Sequence, residues 1–144
     1  GVKIILIAEA ELTLVDTVFR GSLLKIAGLV RSLGRSVEEI ILIVLTHNHL
    51  DHMGGLAEFK RFTSAKVATH KADICNTEGQ PPYPGIEQKL LPIFPFSTLR
   101  SLFSAKSGEV DIQFEGGEVL KPLGGLKVIH TSGHTSGSIS LFSL

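Results

Sequence analysis

The sequence predicts a single α/β domain, and three features of the chain indicate this. Several short apolar runs suit buried strands, and one longer segment has the 3.6-residue spacing of an amphipathic helix. Pairs of glycines separate the apolar runs in the second half of the chain and suit tight turns between strands. A chain of 144 residues can bury roughly 68 to 70% of the surface that it exposes when unfolded, so residues 1–144 are expected to share one core.

The first predicted elements are two strands, Val2–Ile7 and Leu12–Asp16, followed by an amphipathic helix. Ser22 can cap the start of this helix, and Gly34 suits its end because glycine readily takes the left-handed conformation. The residues expected on the buried face of the helix are Leu23, Ile26, Ala27, Val30 and Leu33.

The remaining elements follow in order along the chain. A capping-box pattern at Ser36–Glu39 precedes a buried strand at 40–45. A second helix is expected after Gly54 and Gly55, ending near Phe62. The later predicted elements are a strand at Lys66–Thr69, a third helix containing Ala72, Ile74 and Cys75, and strands at Val110–Phe114, Glu118–Lys121, Leu126–His130 and Ile139–Leu144.

Residues 78–108 differ in composition from the rest of the domain. Five of the six prolines of the chain lie in this segment, together with many apolar and aromatic side chains. A long irregular segment inside a domain is usually functional or disordered, and the apolar content argues against plain disorder. We interpret the segment as an insertion that forms a lid or wall of a substrate pocket, with a short helix near Ser97–Phe103. The alternative is a segment that caps the core or forms a dimer contact.

The hexapeptide His47-Asn48-His49-Leu50-Asp51-His52 directly follows the predicted buried strand at 40–45. It holds four side chains that can bind a metal, including three of the six histidines of the chain. Imidazole and carboxylate groups are ligands that zinc prefers, and two histidines at i and i+2 can project towards one ion when the backbone is extended. Because unrelated surface histidines would not cluster in this way, the pattern predicts a metal-binding loop at the carboxyl end of the strand.

A second small-residue loop, Thr131–Ser138, follows the predicted strand Leu126–His130 and contains His134. Glycines on both sides of His134 let the backbone take positive φ, so the imidazole can be presented at the tip of a tight turn. This loop is weak support for a site by itself. Together with the hexapeptide it indicates a metal site shared by two loops.

The two loops resemble those of the metallo-β-lactamase fold hydrolases. The hexapeptide matches the HxHxDH loop of that family at every specified position, and Gly133–Ser138 is similar to its GHTxGS loop. The segment Leu12–Thr17 is similar to the early family strand that ends in Asp-Thr-Gly, with Val18 in place of the glycine. The resemblance extends from Val2 to the end of the chain and implies an αββα sandwich, in which two α/β halves pack sheet against sheet.

The resemblance also implies a metal site. His47, His49 and His134 would hold one ion and leave a fourth position for water, as in catalytic zinc sites. Asp51 and His52 would contribute to a second ion beside the first. The expected cofactor is zinc, as one or two ions, with iron or manganese as alternatives.

The implied reaction is hydrolysis of an ester, thioester, lactone or amide bond by a metal-bound hydroxide, since zinc lowers the pKa of bound water to roughly 7. Asp51 is the candidate catalytic residue, because its carboxylate could orient the hydroxide or take up its proton when only one metal is bound. Asp16 is expected beside the hexapeptide, where a carboxylate would fix the tautomer of an imidazole. From the residues alone, Asp16 could equally be a turn residue. His70 could line the site, but we expect it to be a strand-end residue that is hydrogen-bonded locally.

Two features of the family pattern are absent from this chain. The family usually supplies an Asp and a last His beyond the GHTxGS loop, yet no Asp follows Asp111 and no His follows His134. We therefore expect a C-terminally incomplete sandwich with an exposed strand edge and an uncovered apolar face. The alternative function is a catalytically incompetent metal-binding fragment, or a truncated member that forms homo-oligomers through the exposed edge or the apolar insertion.

Charge and cysteine content limit the expected partners and compartment. The chain has 14 basic and 14 acidic residues, so no nucleic-acid partner is expected. The expected substrate is a small molecule. The single cysteine, Cys75, cannot form an internal disulfide, which favours a reducing, cytoplasmic compartment and a structural role for this thiol. No apolar stretch approaches the roughly 20 residues that a membrane span needs, so no membrane association is expected.

Overall fold

The computed structural model describes residues 3–74 and 110–144. The predicted insertion at 78–108, its short helix near Ser97–Phe103 and the residue Cys75 lie outside the described residues. In chain order the elements are strands β1 (Ile5–Ala8) and β2 (Leu12–Val15), helix α1 (Ser22–Ser32), strand β3 (Ile40–Val44), helices α2 (Leu50–Met53) and α3 (Leu56–Phe62), and strands β4 (Lys66–His70), β5 (Ile112–Phe114), β6 (Val119–Leu120), β7 (Leu126–His130) and β8 (Ile139–Ser143).

The strands form two sheets. The larger sheet has the order β1-β2-β3-β4-β5, in which β2 to β5 are parallel neighbours and β1 pairs antiparallel with β2. The smaller sheet is the antiparallel set β6-β7-β8. Because neighbouring parallel strands end at the same edge of a sheet, the loops that follow β2, β3 and β4 lie side by side.

Two apolar layers enclose the larger sheet. Successive side chains of a strand point to opposite faces, and in β3 Ile43 packs towards helices α1 and α3 while Val44 packs towards the smaller sheet. The helix side includes Val30 and Phe59, both fully buried. The sheet-to-sheet side is formed by Val44, Ala68, Phe114, Val128 and Ile139. The predicted α/β sandwich, with sheet packed against sheet, is confirmed.

Helix α1 differs from the prediction in its cap and in the burial of Leu33. Ser22 is its first residue and not its cap, because the Ser22 hydroxyl donates to the Thr17 carbonyl in the preceding loop. Leu33, predicted on the buried face, is 52% exposed because the helix ends at Ser32. Gly34 does end the helix: its φ is +71°, and its N–H donates to the Arg31 carbonyl at 2.9 Å.

The predicted third helix is wrong. The chain forms only a single 3-10 turn at Lys71–Asp73, and Ile74 is already extended, with φ −80° and ψ 119°. His70 ends β4, and its Nδ1 accepts the Ala72 N–H, so the side chain takes the place of a helical carbonyl. The capping-box prediction holds, since Glu39 accepts the Ser36 N–H at 2.7 Å at the start of a 3-10 turn.

The outer face of the smaller sheet carries exposed apolar side chains beside Lys127 and Ser140. Val119, Ile129 and Phe142 alternate with inward-facing residues and are 55%, 40% and 57% exposed. Self-association through this face stays a prediction. Within residues 3–74 and 110–144, no helix has the length and apolar character that crossing a membrane requires.

Val18 takes a left-handed backbone conformation, with φ +58°. The conformation is held from both sides, because the Val18 N–H donates to the His52 carbonyl and the Val18 carbonyl accepts the Gly55 N–H. A β-branched residue is strained in this region, and glycine is not. The resemblance places a glycine at this position, which agrees with the observed φ.

Replacing Val18 therefore tests the strain directly. Val18→Ala and Val18→Gly both remove the side-chain packing, but only glycine relieves the left-handed strain, so Val18→Gly is expected to be more stable than Val18→Ala by about 1 kcal/mol. Urea unfolding of the two variants gives the difference in the free energy of unfolding. Greater stability of the alanine variant, as in an ordinary helix or strand, would contradict the strained conformation.

Candidate metal centre

The candidate site lies at the carboxyl edge of the parallel strands. Asp16 follows β2, the hexapeptide 47–52 follows β3, and Asp73 lies just beyond β4. This edge of an open parallel sheet is where ligands usually bind, because the loops there diverge and leave a crevice. His134 reaches the same place from the loop between β7 and β8, which is joined to the hexapeptide region by the hydrogen bond from the Ile139 N–H to the Thr46 carbonyl at 3.0 Å.

Three imidazoles converge at this edge. His47, His49 and His134 each offer a ring nitrogen, and these three atoms all lie within 4.8 Å of one another. The ring centroids of His49 and His134 are 4.5 Å apart, and both rings stand edge-on to His47. His47 is buried, His49 is half-buried and His134 is exposed, so exposure to solvent increases from His47 to His134. Within the described part of the chain, this is the one cluster of three or more His, Cys, Asp or Glu residues with a spacing that could hold a metal ion.

His47 fits a metal ligand in its hydrogen bonding. Thr46 Oγ1 lies 2.9 Å from Asp16 Oδ2 and 3.1 Å from His47 Nδ1, so the hydroxyl can donate to the carboxylate and accept from the Nδ1–H of His47. That tautomer leaves the lone pair on His47 Nε2, and this buried atom has no hydrogen-bond partner among the described residues. A buried polar atom without a partner is costly, and a metal ion would satisfy it.

The electrostatics of the cluster also favour neutral imidazoles. Burial lowers the pKa of His47 to about 4, and the neighbouring imidazoles of His52, His49 and His134 add to the effect. Burial and the His134 imidazole lower the pKa of His49 as well. Neutral imidazole is the form that binds metal, so the site is prepared for an ion at neutral pH.

His52 is held by the buried carboxylate of Asp16. Its Nδ1 lies 2.8 Å from Asp16 Oδ2, which places the proton on Nδ1 and leaves Nε2 as a lone-pair donor. Asp16 also accepts the Thr46 N–H at 2.8 Å. Burial raises the pKa of Asp16, and the hydrogen bonds from His52 and Thr46 act in the opposite direction. Asp16 therefore contacts an imidazole of the loop as the resemblance implied, and its role as a plain turn residue is excluded.

Asp51 and His52 lie beside the three imidazoles without belonging to the same set of converging nitrogens. The ring centroids of His47 and His52 are 4.0 Å apart, and Asp51 Oδ2 is 3.8 Å from His52 Nε2. The Asp51 side chain is 40% exposed, so its carboxylate is accessible to solvent. The two side chains could supply a second ion, as the sequence predicts, or Asp51 could act on water there.

His70 lies outside this cluster, as expected. Its Nε2 is 3.3 Å from the Glu115 carbonyl, and its ring stacks on that of His130 with centroids 3.9 Å apart. Burial and the His130 imidazole lower the pKa of His70. His70 therefore contacts the end of β5 and His130 of β7, and not the three converging imidazoles.

Asp73 is the residue that the sequence reasoning missed. It is fully buried, and its carboxylate accepts hydrogen bonds from both loops of the site. The only signal in the sequence was a lone acidic residue between Ala72 and Ile74, in a segment wrongly predicted as a helix. Its partners are 25 to 64 positions away, so no local spacing marks it.

Similarity to known proteins agrees with this geometry. A model of the metallo-beta-lactamase superfamily matches residues 1–144. The chain is 33% identical over 108 residues to the probable metallo-hydrolase YflN of Bacillus subtilis (strain 168), across 69% of this chain and 39% of that protein. It is 32% identical over 142 residues to the uncharacterized protein YobT of the same organism, across 92% of this chain and 52% of that protein.

A solved structure shares the fold. The metallo-beta-lactamase GOB-18 from Elizabethkingia meningoseptica superposes with a TM-score of 0.72 at 28% sequence identity, and the match covers 94% of this chain and 47% of that one. The chain spans about half the length of these relatives or less. Since the family model matches the chain from its first residue to its last, and the fold agrees with that of a solved metallo-beta-lactamase, the chain belongs to the metallo-beta-lactamase superfamily.

Proposed function

We propose that this chain carries the metal centre of a hydrolase that cleaves an ester, thioester, lactone or amide bond in a small molecule. The observation that carries the proposal is the convergence of three imidazole nitrogens within 4.8 Å. His47 Nε2 is buried and has no hydrogen-bond partner among the described residues, which supports it. Three neutral nitrogens suit zinc, and iron or manganese are the alternatives. The names of the relatives, a probable metallo-hydrolase and a metallo-beta-lactamase, support the same reaction class.

His47, His49 and His134 would hold the first ion. When bound in such a site, a divalent ion supplies a Lewis acid and lowers the pKa of water. His52 Nε2 and the Asp51 carboxylate, 3.8 Å apart, would contribute to a second ion. Two of these side chains are anchored by Asp16, which orients His52 directly and orients His47 through the Thr46 hydroxyl.

Asp51 is the proposed catalytic residue. Its side chain is 40% exposed, so the carboxylate can accept a proton from an incoming water molecule. Its neighbours His47 and Asp16 are buried and already hydrogen-bonded, so they are poorly placed for that exchange. The balanced charge of the chain favours a small-molecule substrate over a nucleic acid.

Metal content and hydrolysis, measured on the same preparation, test this proposal. We expect one to two equivalents of a divalent metal, measured by elemental mass spectrometry, in protein purified without added metal. We also expect turnover of at least one member of a panel of ester, thioester, lactone and β-lactam substrates, lost on chelation and restored by zinc. Protein that neither retains nor binds metal would overturn the proposal.

The alternative is a metal-binding chain without catalysis of its own. The observation that favours it is the match to only about half the length of the relatives. Stoichiometric metal with no turnover of any substrate in the panel would support this alternative. Measurement of the mass in solution on the same sample would show whether copies of the chain associate.

A further inference from the structure

The carboxylate of Asp73 bonds to both loops of the metal centre at once. Asp73 Oδ2 accepts the backbone N–H of Asn48 at 3.0 Å and the hydroxyl of Thr135 at 2.7 Å. Asp73 Oδ1 accepts the backbone N–H of Gly137 at 2.7 Å. The Asp73 carbonyl accepts the side-chain N–H of Asn48 at 2.7 Å, so Asp73 and Asn48 are joined twice.

These partners are the immediate neighbours of the proposed ligands. Asn48 lies between His47 and His49, and Thr135 follows His134. One carboxylate therefore spans from the loop after β3 to the loop between β7 and β8. Shifting either loop would remove at least one of the three donors from this buried carboxylate, and hydrogen bonds to a carboxylate are more costly to lose than neutral ones.

Gly137 shows how close this approach is. A Cβ atom at position 137 would lie 2.7 Å from the Asp73 carboxylate carbon and from its Oδ1, a separation that a side chain cannot reach without displacing Asp73. The backbone of the second loop thus packs directly on the carboxylate. Glycine at this position is needed for the contact and not for a special φ, since Gly137 is not among the residues with positive φ.

Asp73 is not itself a metal ligand. It is fully buried, both carboxylate oxygens already accept hydrogen bonds, and it is absent from the group of converging side chains. Its contacts are with the residues beside the ligands.

We infer that Asp73 is a positioning residue, which fixes the distance between the His47–His49 pair and His134 and so sets the affinity of the site for metal. The effect on metal affinity rests on the proposed function. The hydrogen bonds from Asn48, Thr135 and Gly137 to Asp73, which we call the clamp, are present without metal. Asp73→Asn keeps the size of the side chain while removing the charge and one acceptor. In either orientation the amide NH₂ group would face a backbone N–H, that of Gly137 at one oxygen position or that of Asn48 at the other.

The test compares Asp73→Asn with Thr135→Val, which removes one of the three carboxylate hydrogen bonds, and with Val30→Ala. Val30 is fully buried on helix α1 in the helix-side core, so Val30→Ala reports on lost stability alone. Zinc affinity is measured by competition with a chelating dye, and site geometry by the absorption spectrum of bound Co²⁺. We expect Asp73→Asn to bind zinc ~10- to 100-fold more weakly with an altered Co²⁺ spectrum. A smaller loss is expected for Thr135→Val, and an unchanged affinity for Val30→Ala.

Hydrogen exchange on metal-free protein separates this inference from the proposed function. In Asp73→Asn the backbone amides of Asn48 and Gly137 should exchange faster than in the parent chain, beyond any change that the amides of the core strands share. In Val30→Ala these two amides should change only as much as the core amides do. Zinc affinity of Asp73→Asn within about twofold of the parent value, with the same Co²⁺ spectrum, would overturn the inference. If the parent chain binds no metal, the proposed function fails, and the exchange rates decide the clamp: accelerated exchange in both loops upholds it, and unchanged exchange overturns it.

Discussion

Replacement of His49 by alanine is expected to abolish metal binding at the three-imidazole cluster. The substitution leaves two of the three converging nitrogens, those of His47 and His134. Catalytic zinc sites use three protein ligands, and even the groups that only orient ligands alter affinity by 10- to 100-fold. Loss of a ligand should therefore weaken zinc binding by more than about 100-fold, and hydrolysis should be lost with it.

The measurement is zinc per chain after dialysis, together with the rise in unfolding temperature on adding zinc, since a ligand that binds only the folded state stabilises it. His130→Gln is the matched control, because His130 is an exposed histidine that stacks on His70 outside the cluster. Glutamine keeps an N–H donor for the Ser136 carbonyl, which accepts from His130 Nε2 at 2.8 Å. Equal zinc content and equal stabilisation in His49→Ala and the control would contradict the assignment of His49.

Asp16→Asn is expected to lower both the stability of the protein and its affinity for a second ion. Asparagine tolerates the φ of +63° at this position, so the change tests the carboxylate and not the backbone. The amide can still accept the Thr46 N–H, but its NH₂ group then faces His52 Nδ1, which is 2.8 Å from Asp16 Oδ2. To accept that N–H, His52 must move its proton to Nε2, the atom that would otherwise bind metal.

Asp16→Asn should change both the free energy of unfolding and the affinity for the second ion. Mismatched buried donors should cost about 1 to 3 kcal/mol of unfolding free energy, and the wrong tautomer should weaken binding of the second ion by ~10- to 100-fold. Imidazole ¹⁵N chemical shifts of His52 report the tautomer, and titration with zinc reports the affinity.

Asp111→Asn is the control for this substitution. Asp111 also accepts a backbone N–H, that of Val67 at 2.8 Å, and pairs with Lys60, yet it lies at the start of β5 away from the site. The Asp111→Asn protein should be somewhat less stable than the parent chain, and its His52 ¹⁵N chemical shifts should be unchanged. An Asp16→Asn protein with the parental His52 tautomer and parental zinc stoichiometry would show that the carboxylate is not needed to orient the imidazole.

Local features of the chain could be predicted because each is contained within a few residues. The apolar run of β3, the helix end at Gly34 and the capping box at Ser36–Glu39 depend on neighbouring side chains and backbone groups. The crowding of three histidines into 47–52 is likewise visible without a structure. Family membership followed from these local patterns and is confirmed.

The errors of prediction arose where distant contacts override local preference. Ser22 would be a good helix cap by type, but its hydroxyl donates to the Thr17 carbonyl instead. The segment after β4 has helix-forming residues, yet it forms only one 3-10 turn and the backbone is extended at Ile74. Asp73 accepts hydrogen bonds from both ligand loops instead. The role of the insertion at 78–108, self-association and the cytoplasmic compartment stay predictions.

The sequence by itself therefore determined the family, the α/β class and the side chains available for a metal. Only the tertiary structure decided how those side chains are arranged: which three nitrogens converge, that Asp16 sets the tautomer of His52, and that Asp73 joins the two loops. The physical reason is that these relations depend on parallel strands ending at one edge of a sheet and on the packing of the second sheet, which brings the loop between β7 and β8 to that edge. A hydrogen bond between residues 64 positions apart leaves no periodicity or spacing in the sequence from which it could be inferred.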